Sequence, residues 1–474
     1  MDFTETVNWF AEHLRVSESF DLRQRFSLVA DRRVCLFFVD GFVQSEALEK
    51  QLTAFLGAEA EKLRGVDRAE TFIDRFITHA QASVCVSREE GLRRVLAGST
   101  LMVVEGLESC ILVDARGYPT REVGEPETDR VMRGSRDGFV EPLMQNAALI
   151  RRRLREPSLT FEMLPVGTVS STEVCLCYMV DRVDEQSLAR LRKKITSITV
   201  PALSMGQESL AECILPRQWY NPFPRIRYSE RPDAAAACIA EGQIVVLVDN
   251  SPAAMLMPTS IFAFSQDTND YYFPPIVGSY LRLVRGLIFT STMFITPLWY
   301  WLVKNPESIP KSLSFMRIKE TIAIPLFVQL LLVEVLIDAL KLASLNTPTS
   351  LSNALSLVGA LLFGEFAVNA GLFVPELLAY MAFVSIATFT QPSRELTYAF
   401  KLCRLFLLLL VRLLDGWGLL LGGVILAVLL LTTRTPTGGG YLFPVIPFHG
   451  RALCRLLLRQ PIRADNAAKP PESN

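Results

Sequence analysis

Gly286–Val303 reads GLIFTSTMFITPLWYWLV, about 18 consecutive residues without a charge. As a helix rising 1.5 Å per residue it reaches about 27 Å, the lower end of what crosses a hydrocarbon core about 30 Å thick. Arg282 and Arg285 precede it, and Trp299, Tyr300 and Trp301 close it. That is the pattern of a basic cytosolic anchor at one interface and an aromatic belt at the other. The chain is therefore expected to be an integral membrane protein whose first 280 or so residues face the cytosol. Outward from this stretch, charges recur every few positions up to Arg285 and thin out beyond it, so two physically different halves meet near residue 285.

The charge balance of the 474 residues, 48 Lys and Arg against 49 Asp and Glu, gives no sign of a nucleic-acid partner. The start of the chain lacks a basic leader with an apolar core and a cleavage site, consistent with a first half that stays in the cytosol. Nine cysteines stand singly apart from Cys175 and Cys177, and in a reducing compartment they read as small buried apolar side chains. Three histidines, no paired-cysteine motif, no phosphate-binding glycine loop and no nucleophile motif leave no expected catalytic residue, metal or cofactor.

In the first half, apolar runs end in acids at Val34–Asp40, Thr100–Glu105, Ser109–Asp114, Glu173–Asp181 and Gly242–Asp249. Helical periodicity falls between them at Ser45–Leu56, Ala69–His79, Asn146–Arg155 and Glu185–Ile195. The alternation predicts an α/β cytosolic region of two small α/β subdomains, residues 21–157 and 158–280, behind a helical extension over 1–20. A transmembrane helical bundle over 281–450 and a basic, then disordered, tail over 451–474 complete the expected order. Asp40, Asp114, Asp181 and Asp249 sit where sheet ligands often bind, but an acid at a strand end more commonly opens a turn or caps a helix.

Two segments are denser in special residues than ordinary surface. Glu125–Glu141, continuing to Asn146–Arg153, places Arg133 and Arg136 around Gly134, with Gly138 and Phe139 following and acids nearby. Arginine forks on carboxylates there would bind an anion or, with acids and bases so balanced, tie subdomains or subunits together. Tyr220–Asp233 is proline-rich and extended, with Asp233 expected to cap a helix over Ala234–Ala240.

Beyond the first span, Thr321–Leu340 carries Gln329, Glu334 and Asp338. A carboxylate deep in hydrocarbon costs about 3 kcal/mol on insertion scales, so these acids require water or partners. Four apart on one face, they would line an aqueous path, pair with Lys341 or Arg412, or lie at the interface. In the next segment Thr349, Asn353, Ser356, Ala360 and Gly364 form a stripe of small residues followed by Glu365. Such a stripe packs helices closely or, repeated around a ring, lines a narrow wettable pore. Leu372–Thr390 and Leu405–Leu431 follow, the latter interrupted by Arg412, Asp415 and a group of glycines. The basic tail at Arg451, Arg455, Arg459 and Arg463 asks for an even number of crossings, whereas five apolar stretches are visible; one is then re-entrant or lies flat.

Several long segments resemble the GerA family, the A-subunits of bacterial spore germination receptors and their relatives. They are EPETDRVMRGSRDGFVEPLMQNAALIRRRLREPSL, PRIRYSERPDAAAACIAEGQIVVLVDNSPAAMLMPTSIFAFSQDTNDYY, SLVGALLFGEFAVNAGLFVPELL and YLFPVIPF. The resemblance covers nearly the whole chain. It implies residence in the endospore inner membrane, a homo-oligomeric ring working with other germination membrane proteins, and cation release when dormancy breaks. It also tilts the Thr349–Gly364 stripe toward a pore wall. A cation channel subunit is thus the expected function, with a non-conducting scaffold or signal relay as the alternative. A secondary transporter, for which no inverted repeat is visible, is less favoured.

Overall fold

A computed structural model describes residues 2–63, 65–78, 81–116, 135–216, 218–267, 270, 272–318, 324–346 and 367–458. The candidate pore residues Thr349, Asn353, Ser356, Ala360, Gly364 and Glu365, and Arg133 and Gly134, lie outside the described residues.

The first half holds two five-stranded sheets in which every pairing between the described strands is antiparallel. The first uses β1 (Leu22–Val29), β2 (Arg32–Val39), β3 (Ala82–Val84), β4 (Thr100–Val104) and β5 (Ile111–Val113) in the order β1-β2-β4-β5-β3. Its faces are covered by α1 (Phe3–His13), α2 (Ser45–Leu56), α3 (Ala60–Leu63), α4 (Ala69–Phe76) and α5 (Arg88–Leu96). After α6 (Leu143–Arg153), the second sheet repeats that order with β6 (Leu159–Val166), β7 (Thr172–Met179), β9 (Ile244–Val248), β10 (Ala254–Met257) and β8 (Arg227–Ser229). The helices α7 (Glu185–Thr196), α8 (Gln207–Ile214) and α9 (Pro232–Ala240) stand between its strands in sequence. Two units with one strand order point to a duplicated plan. The fully buried β4 and β9, TLMVV and IVVLV, explain why these runs are apolar throughout instead of alternating.

Two expectations are corrected here. The N-terminal helix is not an extension: Phe3, Val7 and Phe10 of α1 are buried in the first sheet's core. Helix α9 begins at Pro232, which suits proline because the first-turn N–H has no helical acceptor, so Asp233 lies inside the first turn and not at the cap; it accepts from the Ala234 N–H at 2.9 Å and binds buried Arg231. The described sheet pairings are antiparallel, and the strand-end acids take the kind of local role that the sequence favoured. Asp40 accepts from the Gly41 N–H at 3.1 Å, Asp114 binds Arg116, Asp181 pairs with Arg182 at 3.5 Å, and Asp249 accepts from the N–H of Leu143 at the head of α6 at 3.2 Å. All nine cysteines are free; six are buried, whereas Cys213 and Cys454 are exposed.

The second half is helical. Among the described residues its longer helices are α10 (Pro275–Lys304), α11 (Leu326–Asn346), α12 (Pro375–Thr388), α13 (Arg394–Leu414), α14 (Gly416–Thr432) and α15 (Gly450–Leu457). Among the described residues only α10, with 30 residues, is both long and apolar enough by composition to cross a membrane; α12 and α14 are shorter apolar helices. Leu405–Leu431, read from sequence as one stretch, is divided at Asp415, whose φ of +57° stops α13 and turns the chain back into α14. The two helices then pack so closely that a Cβ on Gly418 would collide with the Leu410 carbonyl oxygen. At the same end Asn305 donates to Asp415 at 3.0 Å, and Lys304 lies 3.7 Å from it, so the end of α10 and the α13–α14 turn are level.

Candidate functional site: a buried charge cluster among helices

Glu334 and Asp338 project from α11, one helical turn apart. Their cations come from α13, where Lys401 and Arg404 are three residues apart and so share a face. Arg404 reaches Glu334 Oε1 with Nε at 2.8 Å and Nη2 at 2.6 Å, and its Nη1 donates to the Thr292 carbonyl of α10 at 3.0 Å. Lys401 Nζ stands 3.2 Å from the other Glu334 oxygen, donates to the Glu334 carbonyl at 3.2 Å, and also binds Asp338. Lys341, on α11, donates to Thr388 Oγ1 of α12 at 3.3 Å. The acids are therefore paired, one of the three arrangements read from the sequence, but with Lys401 and Arg404 and not with Lys341 or Arg412.

Burial decides how much this arrangement matters. The Glu334 and Arg404 side chains are 4% and 3% exposed. At such depth, removing one partner strands the other charge at a cost of about 3–5 kcal/mol. Asp338 is looser, at 35% exposure, and among the described residues its buried Oδ1 has no hydrogen-bond partner. A cavity of about 20 Å³ opens among Glu334, Lys341, Thr388, Lys401 and Arg404, room for roughly one water. Two carboxylates face three cations, an unequal balance in a place where charge is expensive. Gln329, the third polar residue of α11, is satisfied: it donates to the Ile324 carbonyl at 2.8 Å and accepts from the Val374 N–H at 3.0 Å.

The helical half is coupled to the second sheet by a separate set of polar bonds. After α14, Thr433 accepts from Asn221 at 2.8 Å, and the Pro436 and Thr437 carbonyls accept from Lys194 at 2.7 Å and Arg190 at 3.0 Å, both on α7. Tyr441 donates to the Pro224 carbonyl at 2.7 Å. Burial, with Arg225 nearby, pulls the Lys194 ammonium below its ordinary pKa. Phe223, Phe289, Phe400 and Tyr441 form the apolar core of this joint.

The joint between the two sheets turns on Asp21, which sequence reading did not single out, and on Arg151, which lies in the continuation of the arginine-bearing segment without having been named as its joint residue. Arg151 of α6, fully buried, holds Asp21 through Nε at 2.7 Å and Nη2 at 3.0 Å, and donates to the carbonyls of Glu156 and Leu159. Ser19 bridges Asp21 to the Phe161 N–H. Of the expected joint residues, Gly138 and Phe139 are buried, and the Phe139 N–H donates to the Glu230 carbonyl at 2.8 Å. Arg136 is exposed, and the neighbouring Asp137 is bound by Arg153. Asp21 and Arg151 lie 130 positions apart, a separation from which no pairing is legible.

Among the described residues no group of three or more His, Cys, Asp or Glu is placed to hold a metal ion. Comparison with known proteins gives a consistent result. Residues 9–470 match the profile of the family described as Bacillus/Clostridium GerA spore germination protein. Stage V sporulation protein AF of Bacillus subtilis is 35% identical over 95% of this chain and 91% of its own length. The uncharacterized membrane protein YfkQ of Bacillus subtilis is 26% identical over 90% of this chain and 83% of its own. The crystal structure of the N-terminal domain of the A subunit of the Bacillus megaterium spore germinant receptor GerK3 aligns with a TM-score of 0.42 at 22% identity, over 54% of this chain and 94% of that one.

Proposed function

The chain belongs to the GerA family of Bacillus/Clostridium spore germination proteins, and from that premise we propose that it is a membrane subunit of a germination complex that passes cations when dormancy breaks. In this reading several copies form a ring in the endospore inner membrane, with the two sheets on the cytosolic side and the Thr349–Gly364 stripe along the conduction path. α10, α13 and α14 cross the bilayer, and the Arg282, Tyr441 and Thr433 ends share the cytosolic level. The chain acts without catalysis.

The observation that carries the reading is the buried cluster of Glu334, Asp338, Lys401 and Arg404. Ionisable groups within a membrane bundle mark ion pathways or their controls, because their cost is otherwise unrewarded. A fully paired Glu334 beside an incompletely satisfied Asp338 suits a latch: it closes the path at rest and has a second arrangement within reach. The bonds from α7 to the Thr433–Tyr441 segment give the cytosolic sheets a handle on the helices, and that observation favours signal relay as the second reading.

Passive monovalent-cation flux through the purified protein in sealed liposomes separates the two. A channel gives flux that Ala360→Trp abolishes while the protein stays folded and inserted. A relay or scaffold gives none in either form, with insertion verified by protease protection.

A further inference from the structure

Trp219 is 96% exposed and Tyr220 is 58% exposed, an aromatic pair with ring centroids 6.2 Å apart on the loop before β8. Nothing in the α/β fold requires this, since an exposed tryptophan forfeits the large apolar area that is its usual contribution. The loop's position supplies a reason. Asn221 binds Thr433, the residue directly after α14, and Phe223 packs edge-on against Phe400 of α13. Two residues of extended chain reach about 7 Å, so Trp219 is held within about 7 Å of Asn221, which is itself one side-chain hydrogen bond from the end of α14.

On α14 itself Leu420, Val424, Val428 and Leu431 form one outward stripe, each 51–63% exposed, which runs down to this same end. Arg434, also exposed, stands just beyond it. An apolar stripe, then Trp and Tyr, then a cation is the order of chemistry met on leaving hydrocarbon for the headgroup layer. We propose that Trp219 and Tyr220 are a bilayer anchor: the second cytosolic sheet rests on the membrane surface through this loop, with the indole at the glycerol level and Arg434 among the phosphates. The sheet that grips the Thr433–Tyr441 segment is thereby referenced to the lipid surface as well as to the helices.

This inference rests on α14 crossing the bilayer. The experiment is tryptophan fluorescence of the full-length protein and its Trp219→Phe variant, in vesicles of phosphatidylethanolamine and phosphatidylglycerol. The lipids are brominated either near the headgroup end of the acyl chains or near the methyl end. Trp219 is so exposed that the variant folds as the parent does. The emission lost in the variant should be blue-shifted, quenched more by the shallow bromines than by the deep ones, and shielded from aqueous iodide. If that emission is quenched by iodide, or by neither reagent, Trp219 lies in water or against protein and the anchor is overturned. Trp417, 77% exposed at the opposite end of α14, keeps the two ideas separable. If the emission lost in the variant is not lipid-quenched while the emission that remains, Trp417 included, still is, the crossing stands and the anchor fails; absence of lipid quenching in both proteins contradicts the crossing itself.

Discussion

Two buried guanidinium–carboxylate pairs, one in each half, are built to different standards. Arg151 and Asp21 have both carboxylate oxygens bound, Ser19 as a bridge, two backbone carbonyls as further acceptors and the Phe161 ring 4.9 Å from the guanidinium. Arg404 and Glu334 are as deeply buried, but their neighbour Asp338 keeps an oxygen unpartnered, a third cation stands nearby and a small polar cavity adjoins them. Full satisfaction makes a strut; incomplete satisfaction leaves an alternative arrangement near in energy. The joint between the sheets therefore reads as a fixed connection, and the cluster among the helices as the movable one.

The largest expected effect breaks the strut. Arg151→Met strands Asp21 in the interior, and thermal or urea unfolding should show a loss of about 3–5 kcal/mol. Next comes the scaffold that holds α13 and its cations. Gly418→Ala drives a methyl into the Leu410 carbonyl and should cost about 1–3 kcal/mol or more by overpacking. Gly423→Ala, with open space around it, should stay within about 0.5 kcal/mol. Asp338→Asn removes a partly exposed ion pair and should cost under about 1 kcal/mol, yet change cation flux, a division between stability and function that a strut residue would not show.

The smallest effect is a pH dependence outside the membrane. Burial pushes the Asp137 carboxyl up, but hydrogen bonds from Arg153 and Ser135 outweigh it and hold the group below its ordinary 3.8. Its folded pKa is depressed, so its stabilisation is complete above pH 3.8 and is lost as pH falls through the lower folded value. Acid unfolding followed by circular dichroism should lose that limb in Arg153→Met.

The same contrast explains what was legible in the sequence. Gly286–Val303 was readable because hydrocarbon imposes one requirement on every residue of a span, and the strands were readable because β4 and β9 are buried on both faces. Glu334 and Asp338 announced themselves as acids in an apolar run. Their partners did not: Lys401 and Arg404 precede the apolar stretch at Leu405 and look like ordinary flanking charge until the helix places them beside α11. Asp415 was visible as an interruption of Leu405–Leu431, but not that the chain turns back there, and Gly418 and Gly422 serve close packing of α14 on α13 rather than the turn. Arg151 sits in a run of three arginines, and only the fold distinguishes the one that is fully buried.

The most direct measurement replaces the charged pair by apolar groups, Glu334→Leu with Arg404→Leu, and records melting temperature and cation flux together in liposomes. Exchange of a buried pair for hydrophobic residues is often close to neutral in stability, which separates folding from gating. A latch gives a melting temperature near that of the parent with flux raised and no longer closed at rest. Unchanged flux in an equally stable double variant would make the cluster structural and contradict its role in the conduction path.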